Sequence, residues 1–150
     1  MKYCPPPVYF LCGLHLIVGV SAFAGGGSLM LAPSGSSLGM NVAWLQHTPF
    51  ANYFIPGVLL FLLNGICPML VFLGLIFQPP WKFFKLLNIY KDRHGAWTYS
   101  LFCGIINIAW IVLQQAMTTF FWLQPLIAGI GLVIIIITMM PSVIRYYTIK

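Results

Sequence analysis

The sequence predicts an all-α protein, a bundle of four membrane-spanning helices, and three observations predict it. Hydrophobic residues make up 61% of the 150 residues and charged residues 5%, whereas soluble domains are roughly one quarter charged. Four apolar runs each come near the ~20 residues that cross ~30 Å of hydrocarbon as a helix. Every Lys and Arg falls at the two ends or in one central loop, and such grouping marks the cytoplasmic side of a membrane protein. The length suits a single integral domain, residues 1–150.

The first run extends from Val8 to Met30, after the stiff Pro5-Pro6-Pro7. Lys2, the apolar Val8–Val20 and then Ala22-Phe23-Ala24 also resemble a signal peptide with its cleavage site. Apolar character resumes through Ser28–Leu31, so the run is expected to stay as a span.

Between the first two runs lies GGGSLMLAPSGSSLGMNVAWLQHTPF, Gly25 to Phe50, without one charge. Pro33 to Ser37 has the chemistry of a tight reversal. Leu38 to Gln46 is expected to form a short helix with Ser37 as its N-cap. Thr48-Pro49 is expected to open the second span. Twenty uncharged residues are long for a connector, and a lid over the outer mouth between spans one, two and three is the expected role.

The second run covers Phe50 to Phe77, with a kink expected at Pro56-Gly57. Pro79-Pro80 ends it, since proline cannot continue a helix beyond its first turn. In the following loop Trp81, Phe83, Phe84, Leu86, Leu87 and Tyr90 are interspersed with Lys82, Lys85 and Lys91. Aromatics and Lys at headgroup depth hold a segment in the membrane interface. The third run is Thr98 to Phe120, and the fourth is Leu123 to Met140. After Pro141 the tail carries Arg145-Tyr146-Tyr147, again an interface pattern.

Orientation follows. Lys2, Lys82, Lys85, Lys91, Arg93, Arg145 and Lys150 are all the cations, and the connections near 32–48 and 119–122 have none. Both termini are therefore expected in the cytoplasm. The same distribution argues against nucleic acid as a partner despite the net charge of +6, because no basic stripe forms.

Polar residues inside the runs require an account, since an unpaired one is costly in lipid. They are His15, Asn64, Asn107, Gln114 and Gln115. Cys103, Asn107, Trp110 and Gln114 recur at steps of four, three and four and share a helical face. Counting 1.5 Å per residue puts Asn64 and Asn107 both in the middle third, where they could meet. His15, Asn64, Asn107 and Gln114, with Trp44 and His47 above them, form the candidate ligand-binding set. Interhelical hydrogen bonding is the plainer reading of the same residues, at about 0.6 kcal/mol a pair.

Other chemistry lacks support. Cys4, Cys12, Cys67 and Cys103 form no CxxC and read as small packing residues. His15, His47 and His94 fall at different depths and have no metal-ligand spacing. A heme held by His15 and His94 would require a different span geometry. No G-x-S-x-G is present.

The order GGGSLMLAPSGSSLGM…WLQHTPFANYFIPGVLLF, then a basic loop with HGAW and a third span with WIVLQ, resembles an uncharacterised family of small bacterial four-span inner-membrane proteins. The likeness is strongest at Pro33-Ser34-Gly35 and Thr48-Pro49-Phe50. Members tend to carry an acidic residue where this chain has Ala32. The resemblance implies the four-span fold and the location, and it brings no activity.

The expected function is non-catalytic: binding of a lipid-like or other apolar small molecule under the lid, or service as an accessory subunit of a membrane complex. An oligomeric transporter lined by His15, Asn64 and Asn107 is the second reading. A membrane enzyme using His47 or His94 is the third. No cofactor is implied by any motif.

Overall fold

The computed structural model describes residues 4–117 and 122–149. Lys2, Lys150, most of the connection near 119–122 and the expected end of the third span at Phe120 lie outside them.

Helix α1 is Pro6–Leu31. Proline at its first position costs no hydrogen bond, because the first four helical N–H groups have no partner within the helix. The second helix, α2, is Phe54–Phe77. A five-residue helix α3, Lys82–Leu86, precedes α4, Gly95–Met117. Helix α5 is Leu123–Thr138 and α6 is Pro141–Tyr147. Among the described residues there is no strand, only an isolated bridge between Arg93 and Thr148.

Three helices, α1, α2 and α4, are each long and apolar enough to cross a membrane. A fourth crossing is available if α5 and α6, bent by 65° at Met139-Met140, count as one. Proline at 141 supplies the break, since its ring excludes it from a helix interior.

α1 and α2 pack so closely that a Cβ on Gly26 would lie 2.7 Å from the Gly57 carbonyl oxygen. Small residues permit such backbone approach between helices in lipid. α5 packs chiefly on α4, and α4 also meets α2. The main core contains Leu11, Val71, Leu75, Trp97, Ile134 and Val143, all nearly or wholly buried.

The start of α2 corrects two expectations. Thr48 does not open the helix: its hydroxyl donates to the Leu45 carbonyl, and it accepts from Phe50 N–H in a turn. The helix starts at Phe54, whose N–H is taken by the Asn52 side chain. Pro56 therefore sits in the first turn, where proline is tolerated, and the irregularity falls further on. Leu60–Ile66 is wound as a π-helix, just ahead of Pro68. A proline there removes the bond to the Asn64 carbonyl and clashes with it, and widening the preceding turns relieves that clash.

The uncharged connection also differs in detail. Leu38–Gln46 is not one helix but two 3-10 turns, Ser36–Leu38 and Val42–Leu45. Asn41 and not Ser37 caps the second, accepting from Ala43 N–H at 2.9 Å. The segment folds onto the ends of α1 and α2 through a small core of Leu29, Leu45 and Tyr53, flanked by Met40, Phe50 and Leu60.

At the opposite end, the tail folds back. His94 N–H donates to the Tyr147 carbonyl at 2.9 Å and Ile149 N–H to the Asp92 carbonyl at 2.8 Å. The Tyr147 hydroxyl donates to the Leu75 carbonyl at 2.8 Å. These bonds fix the loop that carries Lys82 to Arg93 and the tail that carries Arg145 at the same end of the bundle.

Candidate functional site

One group of buried polar side chains bridges α1, α4 and α5. His15 is wholly buried, and its Nε2 is 2.8 Å from Ser100 Oγ on α4. Ser100 Oγ is 2.9 Å from Thr138 Oγ1 on α5. The Thr138 hydroxyl in turn donates to the Ile134 carbonyl at 2.7 Å.

The direction of this chain follows from its last member. A carbonyl only accepts, so the single Thr138 proton is committed to Ile134. Ser100 must then donate to Thr138, and Ser100 Oγ is left to accept from His15. His15 is thereby held as the Nε2–H tautomer, with Nδ1 a bare acceptor. That Nδ1 is buried and has no hydrogen-bond partner. The arrangement ties three helices together and contains no acidic group.

Asn64 and Asn107 do not bond to each other. Asn107 Nδ2 donates to the Ile127 carbonyl of α5 at 3.2 Å. Asn64 is 3% exposed, and both amide atoms lack a partner. Its place in the π-helical turns of α2 is where backbone irregularity in membrane helices commonly serves function.

The upper members of the candidate set are spread out. Trp44 is half-buried and His47 exposed, while Leu45 and Tyr53 turn inward instead. The Tyr53 hydroxyl donates to the Asn41 carbonyl at 2.8 Å, which closes the segment on itself. Gln114 is half-buried and engaged in an interaction of its own. The structure thus gathers His15 with Ser100 and Thr138, and leaves Trp44, His47 and Gln114 outside that group.

His94 is fully engaged at the basic end. Its Nε2–H donates to the Pro79 carbonyl at 3.2 Å, and its Nδ1 accepts from Ala96 N–H at 3.3 Å. Burial lowers its pKa from the ordinary 6.5, against the opposing pull of the Pro79 and Gln78 carbonyls. Nearby, Arg93 lies over the Trp97 ring at 4.3 Å and the Tyr90 ring at 5.1 Å. It also pairs with Asp92 at 3.3 Å, although Nε lacks the alignment of a hydrogen bond. Trp97 Nε1–H donates to the Thr138 carbonyl at 2.7 Å, so α4 reaches Thr138 through both its carbonyl and its hydroxyl.

Sequence reasoning missed Ser100 and Thr138. Ser100 lies seven residues before Asn107 and so continues the Cys103–Asn107–Gln114 face by one turn. Thr138 offered no signal beyond its hydroxyl in an otherwise aliphatic run.

An apolar groove opens on the outer wall between α1 and α2. It has a volume of about 330 Å³ and is lined by Val20, Phe23, Ala24, Ile66, Met69, Leu70 and Leu73. None of the polar candidates and no residue of the uncharged connection lines it. Among the described residues, no three His, Cys, Asp or Glu side chains converge as a metal site.

The class defined by these features is an all-helical protein with three to four helices able to span a membrane. Comparison with known proteins finds no matching family, no similar curated protein and no similar solved structure.

Proposed function

We propose that this chain is a non-catalytic protein crossing a bacterial inner membrane four times, with both ends in the cytoplasm, that holds a lipid-like apolar chain in the groove between α1 and α2. The topology is supported by the cations: apart from Lys2 at the N-terminus they gather on one loop and one tail, which pair with each other through Arg93 and Thr148. The binding reading rests on the groove. Its lining is apolar throughout, and its volume falls in the ordinary range of ligand clefts, about 300–1,000 Å³.

The occupant is a single chain and not a helix. A helix about 10–12 Å across would need a far longer apolar face than these seven lining residues supply. Within the bilayer an acyl or isoprenoid chain meets no unpaired polar group there, so entry leaves nothing unsatisfied. This position differs from the one expected beneath the uncharged connection, where Leu45 and Tyr53 pack with Leu29 in a small apolar core.

Photolabelling tests the proposal. A phospholipid with a diazirine on its acyl chain, reconstituted with the protein, should label peptides containing Val20–Ala24 and Ile66–Leu73 above all others. Leu70→Trp, which fills the groove, should reduce that labelling severalfold. Equal labelling of lipid-exposed positions elsewhere, such as Ile17, Leu62 and Leu132, would remove the groove as a site.

A further inference from the structure

Helix α3 and the residues after it are held rigidly, yet they leave their apolar side chains uncovered. Phe84 is the inward anchor at 2% exposure. It fills a slot between Gly74 of α2 and Gly95 of α4, where a Cβ on either glycine would overlap it. Tyr99 donates to the Phe83 carbonyl at 2.8 Å. Thr98 donates to Asn88 Oδ1 at 2.6 Å, and Asn88 Nδ2 donates to the Arg93 carbonyl at 3.0 Å. The loop is therefore a platform tied down on its inner face.

The outer face of the platform is both apolar and cationic. Leu86 is 80% exposed, Ile89 71% and Leu87 56%. Lys82, Lys85 and Lys91 are exposed among them. The one acidic residue of the chain, Asp92, is paired with Arg93. Among the described residues no other acidic side chain is left to neutralise the three lysines.

We propose that this face binds anionic phospholipid, with the lysine ammonium groups on headgroup phosphates and Leu86, Leu87 and Ile89 at the headgroup–acyl boundary. The inference rests on the reading above that α2 and α4 cross the bilayer. Three residues, Gln78 to Pro80, join the end of α2 to Trp81, so the platform cannot leave the headgroup layer. A soluble polyanion would satisfy the lysines and leave the three aliphatic side chains in water. A lipid surface accommodates both, at about 1 kcal/mol for each Lys.

The test is native mass spectrometry of the full chain in detergent, with equal amounts of phosphatidylglycerol and phosphatidylcholine of the same acyl chains. The wild type should retain phosphatidylglycerol in preference. Each Lys→Gln change at 82, 85 or 91 should lower that preference roughly fivefold or less, and K82Q/K85Q/K91Q should abolish it. No preference in the wild type, or the same preference in the triple variant, overturns the proposal. Displacement of the bound lipid by glycerol 3-phosphate at equal concentration also overturns it, because the aliphatic contacts would then contribute nothing. Carbonate extraction of native membranes reports separately on whether the chain is integral. A protein resistant to extraction but indifferent to headgroup charge refutes the platform alone.

Discussion

His15 on α1 and Ser100 on α4 meet at 2.8 Å in a fully buried site, 85 residues apart in the chain. The bond is one link of a chain whose polarity is set by the Ile134 carbonyl. Ser100→Ala should leave the His15 Nε2–H without an acceptor and destabilise the protein by about 1–3 kcal/mol. The Ser100→Ala/Thr138→Val double variant should cost less than the sum of the two single variants, since both act on one network. Reversible unfolding in mixed micelles measures the cycle, and strict additivity would show that the links are independent. Nitrogen NMR of His15 should find the proton on Nε2.

Asn64 leads to the opposite expectation. Its buried amide bonds to nothing, so Asn64→Leu should keep or raise stability, by up to about 1–3 kcal/mol for the removed desolvation cost. A loss larger than about 1 kcal/mol in the same unfolding assay would mean that the amide is satisfied within the bilayer.

The Phe84 slot is sensitive to volume. Gly74→Ala should destabilise by about 1–3 kcal/mol through overpacking. Phe84→Leu in the same chain should recover part of that, because the smaller side chain makes room for the added methyl. Thermal unfolding followed by tryptophan fluorescence reads both; equal losses with and without Phe84→Leu would dissociate the two positions.

His94 should impose a pH dependence at the basic end. Its folded pKa lies below the ordinary 6.5, so the unfolded chain binds the proton more readily. The resulting stability is present above pH 6.5 and is lost as the pH falls through the folded value. Protonating Nδ1 also breaks the bond from Ala96 N–H. His94→Asn should flatten the unfolding midpoint across this acidic window, and an unchanged slope would assign the dependence elsewhere.

Arg93 stacks on Trp97 while it pairs with Asp92. Arg93→Lys keeps the charge but loses the planar contact, and a loss of about 0.5–2 kcal/mol is expected. Loss of the Tyr90 and Trp97 stacking should also appear as a change in near-ultraviolet circular dichroism.

Hydropathy made the long helices legible, since a run of apolar residues needs only to be counted. The Val8–Met30 expectation lies within Pro6–Leu31, and Leu123–Met140 ends two residues beyond α5. The boundaries failed where single polar side chains decide them. Thr48 had two roles open to it, a helix N-cap or a turn, and its hydroxyl bonds within the turn, to the Leu45 carbonyl and the Phe50 N–H. Asn107 is buried, yet its partner is a backbone carbonyl, Ile127, which no side-chain pattern reveals. His15 stood out because an imidazole is rare in a span. Its partners are hydroxyls, and these occur in many helices without any special task.

Tyr147 bonds to Leu75 across 72 residues, and this contact constrains the order of assembly. The loop between α2 and α4 emerges from the ribosome long before α6 exists to hold it. Until α6 is made, the Lys82–Arg93 region has only its contacts with α2 and α4, such as Phe84 between Gly74 and Gly95, and lacks its bonds to Tyr147 and Ile149. The bonds from the tail are then the last of the loop's contacts to form.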